Sequence, residues 1–260
     1  MSEIKLQTKI YTPWHASRLS EEEMEYLQSA IEDKRGVRNM NPALAGNISK
    51  SETINDKDNW FYEHSLKPLT EKLFYRDWDH YSKYHIEKEE PPPEFELDNF
   101  WVNYQKQYEF NPVHGHSGLF SFVIFVKIPT HWEEQHALPF SSHSNSSWAS
   151  DFQFVGFKHG GVNLMNFSLS PQDEGRMLFF PASLFHQVYP FYGTEEERIT
   201  VSGNIFVKGE VTNKIKTLED LKDDPLEEKE IMLKKMEEST ELYRKQLEKE
   251  KKEREKEGLD

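Results

Sequence analysis

Two histidines stand two residues apart in Asn111-Pro112-Val113-His114-Gly115-His116, at the head of an apolar run. A third, His186, comes 70 residues after His116 and closes Phe179-Phe180-Pro181-Ala182-Ser183-Leu184-Phe185-His186; Arg198 follows it by 12. Side chains alternate along a strand, so residues two apart share a face. A metal about 2.0–2.2 Å from each of its ligands needs that convergence. A close imidazole pair, a distant imidazole and a later guanidinium are the parts of a mononuclear metal centre that accepts an anionic co-substrate. The chain has no cysteine, so any metal must be held by His, Asp or Glu. The bland alternative for an isolated His-x-His is a polar turn before a buried strand.

Arg198-Ile199-Thr200-Val201-Ser202-Gly203-Asn204 alternates with a period of two. Arg198, Thr200, Ser202 and Asn204 fall on one face, Ile199 and Val201 on the other. One side of a core-like strand is therefore polar. A buried arginine needs an anion or hydrogen-bonded partners, and a guanidinium beside a hydroxyl grips a carboxylate through paired, charge-assisted bonds. The ordinary alternative is a salt bridge to one of the 46 acidic residues.

These residues need a scaffold. Leu19 to Asp33 reads as a helix, with Ser20 as N-cap, glutamates in the first turn and Met24, Leu27 and Ile31 at helical spacing. Arg35 to Asp56 is polar and loop-like. Trp60 to Tyr84 carries Leu66, Leu69, Leu73 and Phe74 and predicts a second helix. Glu87 to Pro93 is a charged, proline-rich break. From Glu94 the texture turns to strands: Phe100–Tyr104, Leu119–Ile128, the run with Phe152, Phe154 and Phe157, then Val162–Leu169, Met177–Phe180 and Ile199–Val207. Short strands separated by Gly, Pro and Ser turns predict an antiparallel barrel or sandwich. The excursion Thr130 to Gly161, with Ser141-Ser142-His143-Ser144-Asn145-Ser146-Ser147-Trp148, reads as a substrate lid. His131, His136, His143 and His159 read as surface histidines. After Gly209 the chain is a charged tail, residues 210–260, with Leu226 to Glu257 as a long helix.

The segments Leu44-Ala45-Gly46-Asn47-Ile48, Phe110 to Gly118, Ser121-Phe122-Val123-Ile124, Phe180 to His186 and Arg198 to Asn204 together resemble the Fe(II)/2-oxoglutarate-dependent dioxygenases, in particular the small phage-encoded members. Their order and spacing cover roughly residues 40 to 207. The resemblance implies a double-stranded β-helix, or jelly roll, preceded by N-terminal helices (1–93 before a β core at 94–209) and followed by the charged helical tail. It implies Fe(II) held by His114 and His186, and 2-oxoglutarate bound by Arg198 with Thr200 or Ser202 and with Tyr104 facing the co-substrate. With O2, the products would be succinate, CO2 and a hydroxylated substrate. The family's carboxylate position holds His116 here. His116 is expected to be the third ligand, which leaves the iron one charge more positive; Glu109 and Asp151 are the candidate substitute carboxylates. Phe120, Phe122, Phe179 and Phe180 would wall a dry pocket.

The net charge is −14, and 29 acidic residues against 19 basic precede Glu210. Such a surface repels phosphate backbones, which disfavours long nucleic acid as a partner. Met1 to Lys9 has no apolar signal core and no run is long enough to cross a membrane, so a cytoplasmic protein is expected, in the host cytoplasm if phage-encoded. The tail helix allows an oligomer. Two rivals stay open: a cupin-like three-histidine iron dioxygenase that needs no 2-oxoglutarate, and a non-catalytic barrel that assembles partners.

Overall fold

The computed structural model describes residues 14–76, 93–158 and 161–208. The end of the second expected helix, most of the proline-rich break, His159 and the charged tail with its expected helix lie outside the described residues. The chain divides into two units, Met1–Glu210 and Val211–Asp260. All the described residues belong to the first.

Among the described residues, strands and α-helices order as β1 (His15–Arg18), α1 (Glu21–Glu32), β2 (Lys50–Thr53), α2 (Lys67–Arg76), β3 (Phe95–Gln105), β4 (Asn111–His114), β5 (Phe120–Lys127), α3 (Trp132–His136), β6 (Phe152–Lys158), β7 (Gly161–Phe167), β8 (Arg176–Pro181), β9 (His186–Val188) and β10 (Arg198–Val207). All described pairings are antiparallel. They form a six-stranded sheet, β1-β8-β5-β10-β3-β2, and a four-stranded sheet, β4-β9-β6-β7. A mainly β architecture of two such sheets is consistent with a jelly roll.

Helix α1 starts where its capping residues dictate. The Ser20 hydroxyl accepts from Glu23 N, and the Glu23 carboxylate accepts from Ser20 N at 2.7 Å. Leu27 is the buried residue of its apolar stripe. The Trp60–Tyr84 region begins with a π-type turn, Tyr62–Leu66, before α2.

The six-stranded sheet packs apolar residues on both faces. On one, Phe100, Val102, Phe120, Ile124, Phe179, Val201 and Ile205 pack with Leu27, Phe61, Leu66, Leu73 and Phe74 of the helical layer. On the other, Val123, Phe125, Leu178 and Phe180 meet Phe152 and Phe154 of the four-stranded sheet. Burying each such side chain contributes about 1.5–3 kcal/mol. That explains why Leu119 to Ile128 reads as one continuous apolar run.

Three strands are not legible in the sequence. Strand β2 falls inside the loop-like stretch, because its inward residue is Ser51, not an apolar one. Ser51 is buried and its hydroxyl donates to Val102 O at 3.1 Å and Asn103 Oδ1 at 2.8 Å. Strands β1 and β9 have four and three residues, too short for a period to declare itself.

Candidate metal centre and anion grip

Strands β4 and β9 pair at the edge of the four-stranded sheet, and their register sets His114 opposite His186. Pro112 is tolerated in β4 because an edge strand can lack a ladder donor. The Pro112 carbonyl also serves the site: His114 Nδ1–H donates to it at 2.7 Å. His186 Nδ1–H likewise donates to Leu184 O at 3.1 Å. With Nδ1 protonated in both rings, each Nε2 keeps its lone pair for a metal.

His116 is not on the strand. It lies past the end of β4, and its backbone N–H donates to Ala182 O at 2.8 Å. His114 and His116 therefore do not share a strand face as their spacing suggests. A turn brings them together instead. Gly118 sits at φ +99° with Ile205 O 2.8 Å from where a Cβ would stand, so the turn into β5 admits only glycine.

One ligand nitrogen from each of His114, His116 and His186 lies within 4.8 Å of the others. His116 Nε2 and His186 Nε2 are 3.2 Å apart. Two nitrogens each about 2.0–2.2 Å from one ion, at roughly a right angle or somewhat more, stand ~3 Å apart. The spacing fits a bound cation. Burial favours the neutral form of all three imidazoles, and neighbouring histidines add to it at His116 and His186: His114 is below its ordinary range, His116 is pushed down to about 4, and His186 is well below 6.5. Neutral imidazoles are the ligating form.

The alternative carboxylates are elsewhere. Glu109 accepts from Ser49 N at 3.0 Å and Lys106 N at 2.8 Å. Asp151 is fully buried against His136, at 3.0 Å, and Ser168, at 3.3 Å. Among the described residues the cluster contains no carboxylate. His136, expected as a surface histidine, is instead largely buried against the Asp151 carboxylate.

Arg198 is fully buried. Its Nη2 donates to Ser150 O at 2.8 Å and to Ser150 Oγ. Among the described residues its Nε and Nη1 have no partner. Burial draws its pKa down to about 10, and the Asp151 carboxylate works against that, so the guanidinium remains a cation at neutral pH. A buried cation with free donors has the chemistry to pair with an anion.

The three imidazoles and Arg198 line one cavity of about 330 Å³, together with Thr200, Ser202 and Asn204 of β10 and Trp101, Asn103 and Gln105 of β3. The polar face of β10 thus points where its alternation indicates. The loop 40–48 closes the cavity with Met40, Ala43, Leu44, Ala45 and Ile48.

Two expectations need correction. Tyr104 does not line the cavity: it pairs with Ile199, on the face that packs against the helices. Its hydroxyl accepts from Lys34 Nζ at 3.3 Å, and Lys50 Nζ lies 4.0 Å from its ring centroid. The β3 residue opposite Arg198 is Gln105. Of the four expected wall residues, Phe122 and Phe180 line the cavity, whereas Phe120 and Phe179 pack on the helix side; Phe125 and Phe152 complete the wall. None of Ser141 to Ser147 lines it either, whereas Phe152, later in the same excursion, does. Gln135 staples the excursion to the 189–192 turn, donating to Tyr192 O and accepting from Tyr192 N, both at 2.9 Å.

Residues 99–204 match the model of a family described as "Putative 2OG-Fe(II) oxygenase". That span contains the three histidines, Arg198 and Ser150. That description names iron and 2-oxoglutarate; three imidazoles are donors that suit iron, and a buried guanidinium suits a carboxylate. No curated protein matches the chain. Among solved structures it is similar to a prolyl-4-hydroxylase from Pseudomonas putida, at 11% identity and TM-score 0.41 over 76% of this chain and 94% of that one. It is similar to a 2OG-Fe(II) oxygenase family protein from Burkholderia pseudomallei, at 10% identity and TM-score 0.40 over 75% and 84%. It is also similar to HygX from Streptomyces hygroscopicus, a structure with nickel and 2-oxoglutarate bound, at 11% identity and TM-score 0.39 over 76% and 83%.

Proposed function

We propose that the chain is an Fe(II)- and 2-oxoglutarate-dependent oxygenase that hydroxylates a substrate not yet identified, releasing succinate and CO2. One observation carries the reading: a buried guanidinium with two unpartnered nitrogens shares a cavity with three neutral imidazoles. A dianion with one end on a metal and the other on Arg198 satisfies both. His114, His116 and His186 are the residues that would hold iron, and Arg198 with Thr200 and Ser202 would hold the far carboxylate. Iron with 2-oxoglutarate and O2 supplies the oxidising chemistry when bound.

The protein's share is positioning and exclusion of water. The carbonyls of Pro112 and Leu184 fix the tautomers of His114 and His186. Phe152 and Phe180 pack around His186, and the Phe191 ring lies 5.0 Å from the Arg198 guanidinium; such apolar flanks strengthen an Arg198–carboxylate attraction. The net charge of −14 argues for a substrate other than long nucleic acid.

The test is succinate formation by anaerobically Fe(II)-loaded protein on exposure to O2, beside His186→Ala and Arg198→Ala. Succinate from the parent and not from the variants supports the reading. An all-nitrogen ligand set is the observation that favours the second reading, a three-histidine dioxygenase that binds substrate directly to iron. O2 uptake that ignores 2-oxoglutarate would select it.

A further inference from the structure

The cavity extends beyond its anion grip. Arg198 and Asn204 mark opposite ends of its β10 wall, six residues apart or about 20 Å along the strand. A five-carbon co-substrate held between the imidazoles and Arg198 leaves the Asn204 end free. Two buried polar atoms there, Trp101 Nε1 and Asn204 Oδ1, have no hydrogen-bond partner among the described residues. Their residues are 5% and 6% exposed, so water does not readily serve them. Trp101 pairs across the strands with Ser202, two residues from Asn204. Its ring lies 6.0 Å from the His116 ring, beside the metal centre.

Buried polar groups are nearly always paired, and leaving one unpaired is costly. Here one orphan is a donor and the other an acceptor. The complementary ligand therefore presents one acceptor and one donor. A carboxylate presents acceptors only and meets the Asn204 oxygen unfavourably. An ammonium presents donors only and leaves the indole N–H unmet. Charge points the same way: among the described residues no Asp, Glu or Lys lines the cavity, and its guanidinium stands at the far end.

We infer that the Trp101–Asn204 end of the cavity is the substrate subsite and that it takes an uncharged amide, whose carbonyl accepts from Trp101 Nε1–H and whose N–H donates to Asn204 Oδ1. The inference rests on the proposed function, since it takes Arg198 to be engaged by 2-oxoglutarate.

The experiment uses the full chain loaded with Zn(II) and 2-oxoglutarate, with ligand binding read by saturation-transfer NMR. Propionamide, propionate and propylamine are the isosteric probes. Propionamide is expected to bind at least ~tenfold tighter than the other two, and to lose roughly tenfold in Trp101→Phe and in Asn204→Leu. N-methylacetamide and uracil distinguish a peptide amide or a nucleobase lactam from a side-chain carboxamide as the natural source. Binding of propionate or propylamine at least as tight as that of the amides overturns the inference, as does no amide binding to the parent chain. Amide binding indifferent to both substitutions does the same. Calorimetry of 2-oxoglutarate on the same samples shows which variants are folded. It also separates the two failures: a parent chain that binds amide but not 2-oxoglutarate removes the proposed function and leaves the subsite standing.

Discussion

Ser150 and Arg198, 48 residues apart in sequence, are joined by two hydrogen bonds to a single nitrogen, with the Ser150 carbonyl and hydroxyl both accepting from Arg198 Nη2. Ser150 holds this pose at φ +73° and is fully buried. Its hydroxyl also lies 3.3 Å from Thr130 Oγ1. The guanidinium is thus fixed from behind, and its other nitrogens are left for a ligand.

Ser150→Ala removes one of the two acceptors and leaves the carbonyl. The expected result is a loss of about 1–2 kcal/mol in 2-oxoglutarate binding, a ~5- to 30-fold rise in Kd or KM. The kcat should change little, because the hydroxyl touches Arg198 and not the reacting atoms. Calorimetry and steady-state kinetics read the two quantities separately.

Tyr104→Phe should leave the KM for 2-oxoglutarate within about twofold of the parent, since the ring lies behind the sheet. A large rise would return Tyr104 to the site. Gln105→Ala, at the position opposite Arg198, is the contrasting substitution and should raise KM.

Metal content is expected to be one iron per chain, fixed by elemental analysis. His114→Ala and His186→Ala should each weaken it more than ~tenfold. His116→Asp should retain iron, because it keeps a ligand where the cluster has one. Retention of full affinity in His116→Ala would show that this imidazole does not ligate.

Acid should destabilise the metal-free protein earlier than a typical carboxylate titration would. His116 is held at about 4 when folded against 6.5 for an ordinary histidine, by burial and by the neighbouring His114 charge. Between those values the unfolded chain binds more protons, so stability is whole above pH 6.5 and falls as the pH drops toward 4. At pH 5 the cost is ~2 kcal/mol for this residue. Urea unfolding of the metal-free protein at pH 7 and pH 5 should show the difference, and His116→Gln should narrow it. No narrowing would place the acid sensitivity elsewhere.

Much of this site is legible in the sequence because it sits on periodic strands. The alternation in Arg198 to Asn204 is the polar face itself, and the apolar run before Ile128 is a strand packed on both sides. Tyr104 belongs on the other side by a parity rule: residues opposite each other in an antiparallel pair share a face, and Tyr104 stands opposite Ile199, not Arg198. The register that decides this is not written in either strand alone. His116 joins the expected cluster by a different geometry, since it lies past the end of β4 with its backbone N–H on Ala182 O, not on the pleat. Ser150 carries no signal. Its role depends on a positive φ and on the packing of an irregular excursion, and neither leaves a period in the sequence. Strand β2 is hidden because a serine hydrogen bond replaces the apolar contact that an inward position usually makes.

The imidazoles belong to the four-stranded sheet and the turn leaving it, while Arg198 belongs to the six-stranded one. A dianion spanning them is a cross-tie between the two walls of the sandwich. Occupancy and mechanical cohesion are then one variable. A ligand at a hundred times its Kd adds ~2.7 kcal/mol against unfolding, and here that increment is spread across the seam where the sheets would part. The supply of co-substrate would govern how long the fold survives as well as how fast it turns over.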